Sequence, residues 1–529
     1  SERERNWSLL FSGAKRWRWL LRVIKYEMRD LDRGDVPYFS TTFSSHDATA
    51  SDGEIIPRLF SQTPSELLKG QVSQLSNQDL AAQLRIISSS LGMSGKRSEH
   101  DPYSMGIAII HSKSDRRSLL IGEAERIADH VAELAIYREG RPYWTSHAYV
   151  DDSGPGTFVP SAETNLYNGE LGIALFLGAL GFVAQRSDSK ELALKTLKWI
   201  RAGIYSPQSR LMGSGAYLGA SGYVYTSALL GHLYDDNELI EAAKLALPSI
   251  KQGLAAEVSH SVINGASSAV LALDAIKYYL PEKAVCRLIR ECCEKIVEVA
   301  IEQSNGVTWM EDADADLPLT GFAHGAAGYA AALVTGGHLV GETKWVALGL
   351  QAIEYERANF VKGKRNWADH RKIARESDRN IFAWCTGAPG IGLSRIRIWP
   401  FVNRNEREIY FTSEIGTAIK GTLSYGLGDN HSLCHGDMGN LDFLSQASSR
   451  ISDHRLAETV NDRLDWVLQN MRTKGWRCAS VSQKSDAGLG ELPGLMLGLS
   501  GIGMGLLRLA EPDSVPSVLG PNGIAQMHT

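Results

Sequence analysis

The chain has 529 residues, 43% of them hydrophobic and 22% charged, enough for a large core and a second, smaller unit. A net charge near -5 gives no bulk electrostatic case for nucleic acid. No run of eighteen apolar residues is present and the opening SERERNWSLL lacks a secretory pattern, while the six cysteines form no small-domain disulfide framework, so a cytoplasmic protein is expected.

The first 92 residues read as a small α-rich segment. It holds an Arg/Trp-rich helix (15 to 31), the extended stretch GDVPYFST, where Pro37 disfavours helix, and the helical stretch SNQDLAAQLRIISSSL (76 to 91). The basic helix could touch a membrane surface, but packing against the next domain is the expectation. The chain opens on Ser1 rather than methionine, which suggests a portion of something longer.

From residue 93 a repeat takes over. Aligned on its first glycine, it reads YNGELGIALFLGAL from Tyr167, YLGASGYVYTSALL from Tyr217, INGASSAVLALDAI from Ile263 and AHGAAGYAAALV from Ala323. CTGAPGIGLSRI from Cys385, CHGDMGNLDFLS from Cys434 and MLGLSGIGMGLLRL from Met496 complete seven copies, spaced 46 to 62 residues apart. With 51 glycines the bare Gly-x-x-Gly motif is weak. The regular spacing and the small, aliphatic run after each copy make it a repeat. Those runs are apolar nearly all round, as buried helices are. Stretches such as KELALKTLKWIRAGI and NELIEAAKLALPSIKQGL carry apolar residues at three- and four-residue intervals among charges, as solvent-facing helices do. Seven hairpins, each with one inner and one outer helix, are best satisfied by a double ring: an all-α fold, an α/α toroid over residues 93 to 520, followed by a tail, 521 to 529.

Residues just before the repeat glycines then meet at one mouth of the ring. Cys385 and Cys434 hold equivalent positions, and His435 and His324 hold the next one. Zinc accepts thiolate and imidazole, and three protein ligands leave a fourth position for water or substrate. Cys385, Cys434 and His435 therefore predict an open zinc site. A thiol arriving at it would lose its proton to become a nucleophile, and an alkene it attacks would need a proton, for which His324 is the natural acid. Cys286, Cys292, Cys293 and Cys478 are expected to pack in or on helices. Trp309, Trp384 and Tyr329 flank the site, with packing and substrate contact both open for the two tryptophans.

WCTGAPGIGL, LCHGDMGNLDFL, GFAHGAAG, LYNGELGIALF and PGLMLGLSGIGMGLLRLAEPDSVPSVL resemble the cyclase domain of class II (LanM-type) lanthipeptide synthetases, the lanthionine synthetase C-like family. RGDVPYFST with QLSNQDLAAQLRIISSSL is similar to the last segment of the dehydratase domain that precedes this cyclase, whose catalytic body is missing here. The resemblance implies an α/α toroid with zinc on Cys385, Cys434 and His435 and with His324 as acid/base. It also implies a substrate, a lanthipeptide precursor peptide, with a dehydratase acting in cis or trans. The reaction implied is addition of cysteine thiols to dehydroalanine or dehydrobutyrine, giving lanthionine or methyllanthionine rings.

The family pattern Asp-Val-Ile, whose aspartate is a second acid/base, reads here Ser261-Val262-Ile263, and Ser268 replaces that repeat's second glycine. A serine is no carboxylate; a water relay or His260 would have to substitute. Ile381 stands four residues before Cys385, where some stand-alone cyclases carry arginine, and Arg379 is off register. These departures motivate an alternative: a catalytically weakened zinc protein that binds precursor peptide or a thiol such as glutathione. A carbohydrate-active α/α barrel would need paired carboxylates at a cleft. MEDADADLP (310 to 318) supplies carboxylates but reads as a solvated loop, and sugar cleavage does not call for the Cys/Cys/His set.

Overall fold

The computed structural model describes residues 10–11, 18–73, 75–77, 79–80, 83–84, 87, 113–138, 140–149, 158–161, 164–204, 213–311, 317–371, 380–479 and 492–521. They fall into two units, Ser1–Leu84 and Arg85–Thr529. In the first, helix α1 (Ile24–Asp32) faces a small antiparallel sheet, β1 (Phe39–Ser40), β2 (Ala48–Ala50) and β3 (Ile55–Ile56), paired in that order. Val23 and Tyr26 meet Ala48, Ala50 and Ile56 in one apolar cluster, and Tyr26 donates to Glu54 at 2.8 Å. The stretch read as one helix over 15 to 31 is a 3-10 turn, Arg18–Arg22, followed by α1, and Trp19 and Leu21 remain exposed among the described residues. Helix α2 (Pro64–Ser73) follows, and most of the 76 to 91 stretch lies outside the described residues.

The second unit begins with α3 (Lys113–Glu133) and then runs through the repeats. Inner and outer helices alternate as α4 (Glu170–Val183) and α5 (Ser187–Ile204), α6 (Ala220–Leu233) and α7 (Asn237–Ala256), α8 (Ala266–Ile276) and α9 (Glu282–Glu298). The series continues with α10 (Ala326–Val340) and α11 (Thr343–Ala358), α12 (Ala388–Ile398) and α13 (Thr412–Tyr425), α14 (Asp437–Ile451) and α15 (His454–Lys474), and ends on α16 (Leu499–Ala510). Each inner helix packs on the next, α4 on α6, α6 on α8, and so on to α16, which packs back on α4. The expected α/α toroid is therefore present and closed. Its seventh outer helix comes from an unexpected place: α3, ahead of all the repeats, packs on α16. Among the described residues, no helix is long and apolar enough to cross a membrane.

The loops entering the inner helices are stitched into a ring of their own by backbone hydrogen bonds. Tyr167 N–H donates to Tyr217 O, Met496 to Tyr167 (2.7 Å), Cys434 to Met496 (2.9 Å), Cys385 to Cys434 (3.4 Å), Ala323 to Cys385 (3.1 Å) and Ile263 to Ala323 (3.2 Å). Between the second and third repeats the link runs through a side chain instead: Ala216 N–H donates to Ser268 Oγ at 2.8 Å. The second repeat glycine is needed for close approach. A Cβ at Gly390 or Gly439 would collide with the carbonyl of Trp384 or Leu433, at the start of its own entry loop. Ser268 replaces that glycine in the one repeat whose loop it ties to its neighbour.

Inner and outer helices start differently. Asp236 and Asp453 cap α7 and α15 with their carboxylates, whereas the inner helices begin on glycine and lack a side-chain cap of their own. Distant residues supply it: Glu257 accepts from Ala266 N–H (3.0 Å), Glu356 from Ala327 N–H (2.8 Å) and Asn366 from Ala388 N–H (2.8 Å). The chain then returns into the ring, where Val515, Val518 and Leu519 are buried and Tyr217 donates to Val518 O at 2.7 Å.

Candidate active site

Because Cys385 and Cys434 occupy the same place in adjacent entry loops and those loops are bonded backbone to backbone, their side chains project side by side. Cys385 Sγ, Cys434 Sγ and one ring nitrogen of His435 lie within 4.8 Å of one another. Tetrahedral zinc, with bonds of about 2.0–2.3 Å, keeps its ligand atoms roughly 3.3–3.8 Å apart, so this donor set suits such an ion. Cys434 is buried while Cys385 and His435 keep some exposure, which leaves one side of the group open.

The surroundings favour an anionic sulfur. The hydrogen bond to Cys434 holds the Cys385 thiol well below its ordinary range against the opposing effect of burial, helped by His435 and by the charge of Arg371. Cys434 goes the other way, pushed up by its bond to Cys385 and by burial. Tyr167 donates its hydroxyl to Cys434 Sγ at 3.1 Å. Burial, with the two sulfurs beside it, raises that phenol well above its usual range, so it remains a donor. Arg371 itself is fixed by Asp369 at 2.6 Å.

Neither Arg371 nor Tyr167 is among the site residues expected from the sequence. Position 381 is isoleucine, as noted, and Arg379 lies outside the described residues. The positive charge comes instead from Arg371, fourteen residues before Cys385 on a loop, where no repeat register points to it. Tyr167 was visible in principle, since it holds the repeat position of Cys385 and Cys434.

His324 follows Ala323, whose N–H is bonded to Cys385 O, and its side chain is 36% exposed. Its Nδ1 faces Ser261 Oγ at 3.3 Å and Glu311 Oε2 at 3.8 Å. Among the described residues, no hydrogen bond reaches its Nε2. His260, one candidate to stand in for the missing aspartate, is engaged elsewhere, 2.7 Å from Glu257. The expectation of a solvated acidic loop fails at its first carboxylate: the Glu311 side chain is only 5% exposed. It accepts hydrogen bonds from Ser259 and Tyr329. Asp312, Asp314 and Asp316 lie outside the described residues. The hairpin β4 (Ile301–Gln303) and β5 (Gly306–Thr308) delivers Glu311, with Trp309 stacked on Tyr329 at 4.3 Å between ring centres. Trp309 and Trp384 are fully buried and donate to backbone carbonyls of Ile296 and Leu519, so both are packing residues. Cys292 and Cys293 pack inside α9 as expected, and no disulfide forms.

A closed ring of seven inner and seven outer helices with a Cys/Cys/His cluster on its rim defines the class. Residues 160–519 match the family model described as lanthionine synthetase C-like protein, and the chain belongs to that family. Among curated proteins it resembles the lacticin 481/lactococcin biosynthesis protein LcnDR2 of Lactococcus lactis subsp. lactis, 23% identical over 520 residues. That alignment covers 94% of this chain and 52% of the relative, so the chain spans about half the length of that protein. Among solved structures, nisin cyclase is similar at a TM-score of 0.48 and 19% identity, covering 66% of this chain and 88% of that one. A family 76 glycoside hydrolase (mannosidase) from Bacteroides thetaiotaomicron is more distant, with a TM-score of 0.35 at 11% identity, over 75% of this chain and 98% of that one.

Proposed function

We propose that this chain is a zinc-dependent lanthipeptide cyclase of the cytoplasm, joining cysteine thiols of a precursor peptide to its dehydroalanine or dehydrobutyrine residues. The observation that carries the reading is the meeting of Cys385, Cys434 and His435 within 4.8 Å on the rim, one loop away from His324, in a member of this family. In this reading residues 93 to 520 form the cyclase, residues 1 to 92 end a dehydratase domain, and a dehydratase acts in cis or in trans. The separate unit Ser1–Leu84 and the family match over residues 160–519 support a division of this kind.

Cys385, Cys434 and His435 would hold the zinc ion, which when bound lowers the proton affinity of an incoming thiol. Arg371 favours the Cys385 thiolate, and the Tyr167 hydroxyl donates to Cys434 beside it. Net addition of S–H across the C=C bond forms one C–S bond and one C–H bond and needs no redox partner. Attack at the β-carbon leaves the electron pair on the α-carbon and its carbonyl. His324, partly exposed and with Nε2 clear, supplies the proton that this carbon takes up.

Zinc per chain in the wild type and in Cys434→Ala, with thiol alkylation of a dehydrated precursor before and after incubation read by mass spectrometry, tests the proposal. Near-stoichiometric zinc that the variant loses, with free thiols disappearing for the wild type alone, is the expected result. Zinc with thiols still alkylatable moves the function to precursor or thiol binding, and no zinc at all removes the central premise.

A further inference from the structure

Ser261 occupies the place where the family pattern carries an acid/base carboxylate, yet a carboxylate is present a few ångströms away, delivered by a segment outside the repeat. Glu311 Oε2 lies 3.8 Å from His324 Nδ1 and is 5% exposed. Two hydroxyls also connect the pair. The Asn264 N–H donates to Ser261 Oγ at 3.4 Å, and Ser261 Oγ lies 3.3 Å from His324 Nδ1 and 3.1 Å from Ser259 Oγ. Ser259 in turn donates to Glu311 Oε2, and Asn264 Nδ2 donates to Ser259 Oγ at 3.2 Å.

One consistent set of donors satisfies this chain: His324 Nδ1–H to Ser261, Ser261 O–H to Ser259, Ser259 O–H to Glu311. The other carboxylate oxygen accepts from Tyr329, so Glu311 is held from both sides by groups that stabilise its charge. Burial alone would push its pKa up, but the nearby His324 imidazole and the hydroxyls of Ser259 and Tyr329 outweigh this and leave it below the ordinary range. Glu257 and His260 approach the same corner, but they bond to each other at 2.7 Å. A carboxylate bonded to one imidazole nitrogen fixes the tautomer and turns the other nitrogen toward the substrate.

We propose that Glu311, directly and through the Ser259–Ser261 hydroxyl relay, is the positioning carboxylate of His324, doing from the inter-repeat hairpin what an aspartate at position 261 would do. Glu311 and Ser259 touch neither the Cys/Cys/His group nor the substrate; they keep the proton on Nδ1 and present Nε2 to the reacting carbon. The assignment rests on His324 being the acid of the cyclase reading.

The test uses the full zinc-loaded chain with a dehydrated precursor peptide. Glu311→Gln is expected to lower kcat by about tenfold or more while leaving KM and zinc content as in the wild type. Adding Ser261→Asp to that variant should restore kcat. Ser259→Ala, which cuts the relay and keeps the Tyr329–Glu311 bond, should reproduce part of the loss if Glu311→Gln folds poorly. Nitrogen-15 NMR of histidine-labelled protein, with His324 assigned by its loss in His324→Gln, reads the tautomer without any turnover. The neutral ring should carry its proton on Nδ1 in the wild type and lose that preference in Glu311→Gln. Unchanged nitrogen signals in that variant overturn the proposal, whether or not the wild type forms thioethers. No rescue by aspartate overturns it equally.

Discussion

The rim of the toroid carries two chemical regions built in different ways. The Cys385, Cys434 and His435 side is made of side chains at equivalent repeat positions, brought together by bonded entry loops that all seven repeats share. The His324 side takes its histidine and hydroxyls from two repeats and its carboxylate from outside them. Its hydroxyls come from a repeat that has lost its second glycine, and its carboxylate comes from a hairpin between repeats. Chemistry encoded by the repeat is robust and recurs in register. Chemistry supplied between repeats has no such register, and Glu311 reaches His324 only because the chain outside the repeat turns it inward.

The sharpest way to break this comparison is to strike each side in turn. Cys385→Ala removes one of three ligands and is expected to bring zinc from about one per chain to near zero, with cyclisation falling by roughly a thousandfold or more. His324→Gln should keep its zinc and lose about 10²- to 10⁴-fold in kcat, the range of a general acid. Zinc analysis beside thiol alkylation separates the two. Should His324→Gln also lose zinc, the two regions would be one site, with His324 as a fourth ligand.

A smaller effect sharpens the metal side. Tyr167→Phe removes the one hydroxyl donated to Cys434 and leaves the packing of the ring intact. Zinc affinity, measured by competition with a chromophoric chelator, should weaken by about tenfold, the low end of what outer partners of ligands contribute. An unchanged affinity would mean that Cys434 is held by its backbone loop alone.

The same contrast explains what the sequence made legible. Seven glycine-led apolar runs with amphipathic helices between them pointed to the toroid because period and burial are properties of composition along the chain. Cys385, Cys434, His435 and His324 were visible because they share register. Ring closure by α3 was not, since that helix precedes the repeats and carries no glycine signature. Glu311 stood in an acidic run, and such runs are ordinarily solvated. Only the hairpin that ends at Thr308, the Trp309–Tyr329 stack and the hydroxyl of Tyr329 turn this one carboxylate inward. Arg371 was hidden as well, as one charge within a charged loop that has no repeat position.

The smallest expected effect contrasts two buried carboxylates that serve the His324 loop. Glu311 keeps its charge because hydroxyls and an imidazole surround it, whereas Glu356, fully buried, accepts from Gly321 N–H (3.0 Å) and Ala327 N–H (2.8 Å) through one oxygen only. Its second oxygen has no partner among the described residues. Burial pushes Glu356 up to about 7, the charge of Arg395 and the two N–H groups only partly opposing it. An unfolded glutamate titrates near about 4.3, so the folded state holds this proton more tightly. The resulting stabilisation is complete below about pH 4.3 and is lost as pH rises through 7. Glutamine keeps an oxygen for the two N–H groups and never ionises. Glu356→Gln should therefore melt like the wild type at pH 5 and roughly 2–5 °C above it at pH 8, with activity little changed. If it melts lower by the same amount at both pH values, Glu356 works as a charged partner of Arg395, and the loop that carries His324 is held by an ion pair rather than by a neutral cap.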